Sequence, residues 1–244
     1  MRVYHFLSAK YGIDDLKQRR LKVAEFKDLN DPFELLSVEL SDRVARRSFA
    51  AWREKTLAEY EVLCFSTSWR GPVLWSHYAD RHKGLCLGFD VPDRLLLPVT
   101  YLKSRSPLND LLPPASGTGS EPGALFLTKF EHWQYEDEVR RVVRLDEAVR
   151  QGGLYFWPFG PDLELMEVVV GPRCGVEKSQ LQHSLGEHDC GVTLTKARLA
   201  FRSFEVVTQQ RGFTSPRRRR TSHSSGRKPH AARPVVTNPG RMIE

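Results

Sequence analysis

The clearest pattern along the chain is a stripe of mostly apolar side chains that recurs every three or four positions after Ser41, a residue type that favours the start of a helix. The stripe consists of Ala45, Phe49, Trp52, Thr56 and Tyr60. Its spacing predicts a long amphipathic helix. A shorter helix is predicted from Pro72 to Gly84. The residues on its apolar face would be Trp75, Tyr78, Ala79 and His82.

Alternating apolar and polar residues, the period of a half-buried strand, are clearest over residues 85–91 and 138–145. Shorter strands are predicted at residues 3–7, 21–24, 62–66, 166–170, 192–195 and 204–208, and further helices near residues 12–16 and 176–185. Helices and strands are mixed without a regular βαβ rhythm. The sequence therefore predicts an α+β domain over residues 1–210, with a mixed sheet and several packing helices.

Charge is distributed unevenly along the chain. The 244 residues have a formal net charge of +7, but the segment 211–244 contains nine basic residues against Glu244 alone. Residues 1–210 therefore carry a net charge of −1, which gives no whole-domain argument for nucleic acid. The segment 211–244 has few apolar residues and predicts a disordered basic tail with weak, non-specific binding to polyanions. A solvated extension without function explains the same composition.

A polar segment, the cysteines and the lengths of the apolar runs indicate which parts of the chain are at the surface and where the protein resides. Residues 104–122 are rich in Ser, Thr, Pro and Gly and predict a surface loop or lid. The four cysteines are far apart and lack CxxC spacing, so we expect reduced thiols. No uncharged apolar run approaches the roughly 18 to 20 residues that span a bilayer, and no secretory signal is apparent. We expect a cytoplasmic protein without a membrane partner.

Several segments together resemble a bacterial family known as domain of unknown function 2971. The most specific is LWSHYADRHKG at residues 74–84. The others are VYHFL at 3–7, NDPFE at 30–34, CFS at 64–66, LGFD at 87–90, YEDEVR at 135–140 and VGPR at 170–173, with Lys129 and Trp133. The resemblance spans most of residues 1–210 and none of the tail. It implies little about activity, although similar domains occur among bacterial defence proteins.

Metal and phosphate motifs are not evident. His77 and His82 are five positions apart on the predicted helix, which separates their side chains by about 140° and prevents a shared metal ion. We therefore expect no metal cofactor. Neither GxxxxGK[ST] nor GxGxxG occurs, which disfavours P-loop kinases and Rossmann dehydrogenases.

Two acidic residues suggest a chemistry. On a strand, Glu136 and Glu138 would project from the same face, and Arg140 would join them. Neighbouring carboxylates can differ in pKa and share acid, base or cation-stabilising roles at a glycosidic bond. A solvated ladder of Glu and Arg on an edge strand explains the same spacing.

The order of the polar motifs loosely resembles ADP-ribosyltransferases, which carry a basic residue or His on an early strand, then a serine-bearing strand, then Glu-x-Glu. Here the series is Arg2 or His5, then Ser66, Thr67 and Ser68, then Glu136, Asp137 and Glu138. The resemblance implies NAD as co-substrate and an unknown protein or nucleic-acid acceptor. It also implies that Glu138 stabilises the ribosyl cation, Glu136 orients the acceptor, His5 holds the ribose and Ser66 supports the site. Trp75 or Tyr78 would stack on nicotinamide, although their spacing also fits a core.

The remaining polar candidates are Asn30, Asp31, His77, Asp80, His82, Lys83 and Arg140. His77 and Asp80 are at i and i+3 and can meet, either for catalysis or as a surface hydrogen bond, while Asn30 and Asp31 also suit a simple turn. The leading hypothesis is an ADP-ribosyltransferase-like effector in phage defence or toxin biology. A non-enzymatic ligand- or nucleic-acid-binding module stays open, as does a metal-dependent nuclease using Asp31, His77, Asp80 and Glu138.

Overall fold

The computed structural model of the protein describes residues 1–111, 123–189 and 191–212. The helices in these ranges are α1 (Ala9–Gln18), α2 (Arg43–Leu57), α3 (Pro72–Tyr78), α4 (Leu108–Leu111) and α5 (Lys178–Leu185). The strands in the same ranges are β1 (Arg2–Leu7), β2 (Arg20–Lys22), β3 (Tyr60–Ser66), β4 (Leu85–Asp90), β5 (Leu97–Pro98), β6 (Thr100–Leu102), β7 (Thr128–Phe130), β8 (Glu138–Arg144), β9 (Val149–Gln151), β10 (Leu154–Pro158), β11 (Glu164–Val170), β12 (Thr193–Leu199) and β13 (Val206–Thr208).

The main sheet has eight strands in the order β13-β12-β11-β4-β1-β3-β8-β5. Strands β11 and β12 are parallel, whereas the other neighbours are antiparallel. A mixed sheet packed with helices confirms the predicted α+β class. Strand β4 lies near the middle of the sheet, and its residues from Leu85 to Phe89 are buried on both faces. The expectation of a half-buried strand there was wrong, because the strand lies in the core.

The sheet is loosely joined between β1 and β3. Strand β1 pairs with β4 along six positions and β3 pairs with β8 along seven, but the described register between β1 and β3 is the single pair of Tyr4 with Ser66. The two strands therefore diverge from this pair. The divergence leaves space for a cleft within an otherwise continuous sheet.

The predicted long helix is confirmed as α2. It starts one residue later than expected, since the side chain of Asp42, and not that of Ser41, accepts a hydrogen bond from the Ala45 amide at 2.6 Å. Phe49 is buried and Trp52 packs edge-on against Phe126, so the apolar stripe faces a core.

The second predicted helix is shorter than expected. Helix α3 ends at Tyr78, and the next residues include Asp80, Arg81 and His82 with φ angles of 43°, 53° and 71°. This left-handed turn brings the His82 amide to the Trp75 carbonyl and the Gly84 amide to the Ala79 carbonyl. His82 therefore does not share a helical face with Trp75. The helical geometry assumed for His77 and His82 does not exist.

Two predicted flexible segments lie partly beyond the described ranges. Within residues 104–122, Ser106 forms a bridge with Val38 and residues 108–111 form α4, whereas residues 112–122 are outside the described part of the chain. The tail, except for residues 211 and 212, is also outside it, so its disorder and its polyanion binding stay predictions. No helix in the described ranges is long and apolar enough to cross a membrane.

Glu61 gives the fold a pH-dependent stability. Its side chain is buried, and its Oε2 accepts a hydrogen bond from the Phe26 amide at 2.6 Å. Burial raises the pKa of Glu61 from the ordinary 4.5 to about 7. Between these values the folded state binds more protons than the unfolded state, so the free energy of unfolding decreases as the pH rises through this window.

We therefore expect Glu61→Gln to reduce the difference in melting temperature between about pH 4.5 and about pH 8, since glutamine cannot ionise. The matched control is Glu59→Gln, at an exposed position two residues earlier, which should leave the difference unchanged. If the melting temperatures of Glu61→Gln and of the wild type change equally with pH, the buried carboxyl of Glu61 is not the source of the pH-dependent stability.

Candidate functional site

A cleft of about 320 Å³ opens where β1 and β3 diverge. This volume is at the lower end of the range of roughly 300 to 1,000 Å³ typical of ligand pockets. Eight of the predicted site residues line it: His5, Asn30, Ser66, His77, Tyr78, Glu136, Glu138 and Arg140. Side chains separated by more than a hundred positions in sequence therefore meet around one space.

The strand register explains how the motifs come together. Ser66 pairs with Tyr4 on one side and with Glu138 on the other. Because paired residues of antiparallel strands project from the same face, these three side chains form a row across β1, β3 and β8. His5 follows Tyr4 on β1 and packs its ring edge-on against Phe65.

Glu138 is the most completely paired acidic residue of the cleft. Its side chain is about 5% exposed, and it accepts hydrogen bonds from Arg140 Nε at 2.8 Å, Arg140 Nη2 at 3.1 Å and Lys129 Nζ at 3.2 Å. Burial alone would raise the pKa of Glu138, but Arg140 and Lys129 lower it below the ordinary value. The carboxylate is therefore negatively charged at neutral pH.

Glu136 reaches the same place by a different route from the one predicted. It ends a 3₁₀ helix, Glu131–Glu136, and Asp137 then has a φ angle of 44°, so Glu136 is not on the strand with Glu138. Lys129 joins the two acids instead, with Nζ at 2.5 Å from Glu136 and 3.2 Å from Glu138. The Tyr78 hydroxyl donates to the other oxygen of Glu136. The expected proximity of the carboxylates is found, but its assumed cause was wrong.

Formal charges in the cluster do not cancel. Arg140 is fully buried and binds Glu34 through two hydrogen bonds of 2.5 and 3.0 Å, in addition to Glu138. Within the described part of the chain, the carboxylates of Glu34, Glu136 and Glu138 form ion pairs with Arg140 and Lys129. Burial alone would lower the pKa of Lys129, but the two cleft carboxylates raise it. The five groups carry a formal charge of −1, which favours a cationic ligand.

His5 lines the cleft as a neutral imidazole. Its Nδ1 lies 2.9 Å from the Cys64 carbonyl oxygen, and a carbonyl only accepts, so Nδ1 carries the hydrogen. Burial lowers the pKa of His5, which keeps the imidazole neutral at neutral pH. Nε2 then retains a lone pair that can accept a hydrogen bond from a ligand hydroxyl.

Ser66 shapes the end of β3. Its hydroxyl donates to the Ser68 carbonyl at 3.1 Å and accepts from the Ser68 amide at 3.3 Å. This turn holds Thr67 against Asp137, whose carbonyl accepts from the Thr67 amide at 3.2 Å and whose carboxylate accepts from the Thr67 hydroxyl. The serine segment and the Glu-x-Glu segment therefore bind each other directly.

Five predicted residues lie outside the cleft lining. Trp75 is fully buried, packs against Phe6 and donates from Nε1 to the Trp69 carbonyl, so the prediction that it stacks on nicotinamide was wrong. The other four are Asp31, Asp80, His82 and Lys83. Asp31 caps a turn by accepting from the Phe33 amide at 2.9 Å.

His77 and Asp80 were expected to form a polar pair. Asp80 lies beyond the end of α3 in the left-handed turn, and within the described ranges no hydrogen bond or ion pair joins the two residues. His77 instead faces the rings of Tyr78, Trp133 and Tyr135, with centroids 6.0 to 6.4 Å away. It belongs to an aromatic rim of the cleft.

The residues of the nuclease hypothesis do not form a metal centre. Among the described residues, no group of three or more His, Cys, Asp or Glu side chains is arranged to hold a metal ion. Of the four residues named for that hypothesis, only His77 and Glu138 line the cleft.

Sequence reasoning missed four residues that build the site: Lys129, Glu34, Cys64 and Tyr101. The Tyr101 hydroxyl accepts a hydrogen bond from the Glu138 amide at 2.9 Å, which fixes the first residue of β8. Lys129, Glu34 and Cys64 are within the segments that resemble domain of unknown function 2971, and this was the only signal that pointed to them.

No family model, curated protein or solved structure matches this chain. The resemblance to domain of unknown function 2971 and the looser resemblance to ADP-ribosyltransferases therefore stay predictions.

Proposed function

We propose that the chain is an ADP-ribosyltransferase-like enzyme that cleaves nicotinamide from NAD. The observation that supports this most is the meeting of His5, Ser66 and Glu138 at one cleft, on strands β1, β3 and β8. A chance match of short motifs gives no reason for three separated segments to share one space. The proposal includes a cytoplasmic location and a protein or nucleic-acid acceptor, both of which rest on the sequence. A role in phage defence or toxin biology rests on the family resemblance alone.

The proposed reaction uses the negative charge of the cleft. When the bond between the ribose C1′ and the nicotinamide nitrogen breaks, the electron pair leaves with nicotinamide and positive charge develops on the ribose. The ionised Glu138 stabilises that charge. The acceptor then bonds to C1′ and transfers its proton to Glu136, while His5 Nε2 accepts a hydrogen bond from a ribose hydroxyl.

The size of the cleft suggests how the dinucleotide binds. A volume of about 320 Å³ suits one ring with its ribose, which we assign to the nicotinamide half. The aromatic rim of His77, Trp133 and Tyr135 offers a stacking surface for the adenine half. Tyr78, which lines the cleft beside Glu136, takes the stacking role that Trp75 cannot fill.

The test is to incubate the full chain with NAD and to measure released nicotinamide by chromatography and NAD binding by calorimetry. We expect both binding and release. NADH is the matched control ligand, because its reduced ring lacks the positive charge that the cluster favours; it should bind more weakly and stay intact. Absence of nicotinamide release would overturn the proposal, and NAD binding without release would favour a non-enzymatic binding module.

A non-enzymatic ligand-binding module is the second candidate, and the pairing of Glu138 favours it. A carboxylate has about four acceptor positions, and Arg140 and Lys129 together supply three donors. In the enzyme, a ribose hydroxyl must donate to the one acceptor position that remains. In a binding module, the network is purely structural, so NAD or a related nucleoside would bind without losing nicotinamide.

A further inference from the structure

The loop between β12 and β13 presents the two most exposed large apolar side chains in the described part of the chain. Phe201 is 90% exposed and Phe204 is 97% exposed. The loop itself is closed, because the Ala200 amide donates to the Glu205 carbonyl at 2.9 Å and Leu199 pairs with Val206. Two aromatic rings are therefore held in water at the tip of an ordered hairpin, where they contribute nothing to the core.

The same hairpin carries two arginines. The guanidinium of Arg198 lies 4.4 Å from the centre of the Phe201 ring, and the exposed Arg202 is between the two phenylalanines in sequence. The acid of the loop, Glu205, accepts a hydrogen bond from Ser203 at 2.8 Å. The tip thus combines flat aromatic faces with an excess of positive charge.

We propose that this hairpin tip, residues 198–205, is a docking surface for single-stranded nucleic acid. Bases stack on exposed aromatic rings, and arginines bind the phosphates between them. The chain that follows strengthens the charge argument, since the segment from Arg211 onward contains nine basic residues and begins three positions after the end of β13. This inference is independent of the chemistry in the cleft.

Charge and geometry disfavour two other occupants. Insertion of both rings into a bilayer would bring Arg198 and Arg202 toward the hydrocarbon, which is costly for a guanidinium. In a two-fold contact between two copies of the chain, each tip would meet the same arginines of its partner. A polyanion with flat bases can stack on both aromatic rings and pair with the arginines.

The base of the hairpin is close to the segment that leads away from the cleft. The Val206 amide donates to the Arg70 carbonyl at 2.9 Å, and Val206 packs in the same cluster as Trp69 and Trp75. Trp69 directly follows Ser68, whose carbonyl accepts from Ser66 in the cleft lining. The base of the hairpin therefore packs against the segment that follows Ser66 of the cleft lining.

The test measures binding of fluorescent oligothymidylate and oligouridylate to the full chain by anisotropy, at about 0.15 M salt to limit purely ionic binding. Replacing both rings, F201A with F204A, should weaken binding by about tenfold for each ring. The matched control is Tyr11→Ala, which removes another exposed ring with a nearby cation, Lys10, and should change nothing. Because the rings are exposed, all these variants should melt at the wild-type temperature.

A second variant tests the phosphate contact. Arg202→Gln should reduce the slope of log affinity against log salt by about 0.7, the value expected for one phosphate contact with a single strand. Equal oligonucleotide affinity of the double phenylalanine variant and the wild type would overturn the proposal. Ring-dependent binding only to phosphatidylserine vesicles, or ring-dependent self-association without oligonucleotide binding, would overturn it as well.

Discussion

Glu138→Gln is expected to lower kcat/KM for nicotinamide release from NAD by about 10²- to 10³-fold, the usual effect of removing one electrostatic group that stabilises the transition state. Glutamine keeps the size and one acceptor oxygen of the side chain but not its charge. The ribosyl cation would then form beside a neutral amide. Because NAD still contacts the rest of the cleft, the loss should appear mainly in kcat.

The matched control is Glu164→Gln, which changes an exposed glutamate on β11 outside the cleft lining. It should leave both kinetic constants unchanged. Circular dichroism and NAD binding show whether Glu138→Gln remains folded, which matters because Glu138 is part of a buried ion network. A folded, NAD-binding Glu138→Gln protein with wild-type activity would exclude this carboxylate from the reaction and favour a structural role.

Arg140→Met is expected to be the most destabilising substitution in the site. Arg140 is fully buried and donates to Glu34, Glu138 and the Phe126 carbonyl, so its removal leaves two carboxylates in the interior with fewer partners. Breaking a buried ion pair in this way typically costs about 3–5 kcal/mol. For a domain of this size, that corresponds to a decrease in melting temperature of about 10 °C.

Arg144→Met is the matched control, since Arg144 is on the same strand but its ion pairs in the described part of the chain are with exposed acids, Asp146 and Glu147. Its melting temperature should equal that of the wild type. The deficit of Arg140→Met should shrink as the pH is lowered, because protonation removes the unpaired buried charges. A melting temperature for Arg140→Met within a degree or two of wild type would show that the network contributes little to the fold.

Local patterns were sufficient to predict most of the elements that carry the site. Helix α2 and strand β8 were predicted from a clear period, whereas β1 and β3 were predicted from short strand-like runs, so neighbouring side chains were enough to indicate all four. The order of the strands was not predictable in this way. Pairing of β1 with β4 and of β3 with β8 depends on contacts between residues about 80 positions apart, which leave no trace in a local period.

The site was predicted in part, and the failures have physical causes. Lys129 is one of 37 basic residues, and nothing in its neighbours indicates that it is buried between two carboxylates. Asp137 and His82 adopt left-handed backbone conformations that residues other than glycine rarely adopt. The turn at Asp137 makes β8 start at Glu138, so Glu136 is not on the strand, and the left-handed turn that includes His82 follows α3, which ends at Tyr78. Tertiary packing compensates for the strain of these left-handed residues, and a local sequence pattern carries no information about that packing.

In the proposed complex, Glu138 and His5 hold the nicotinamide ribose of NAD in the cleft between β1 and β3. The most direct measurement is a crystal structure of the full chain with an NAD analogue whose nicotinamide bond cannot be cleaved. We expect the ribose within hydrogen-bond distance of the Glu138 carboxylate and of His5 Nε2. An analogue bound elsewhere, or a cleft that stays empty at a saturating concentration of the analogue, would contradict this placement.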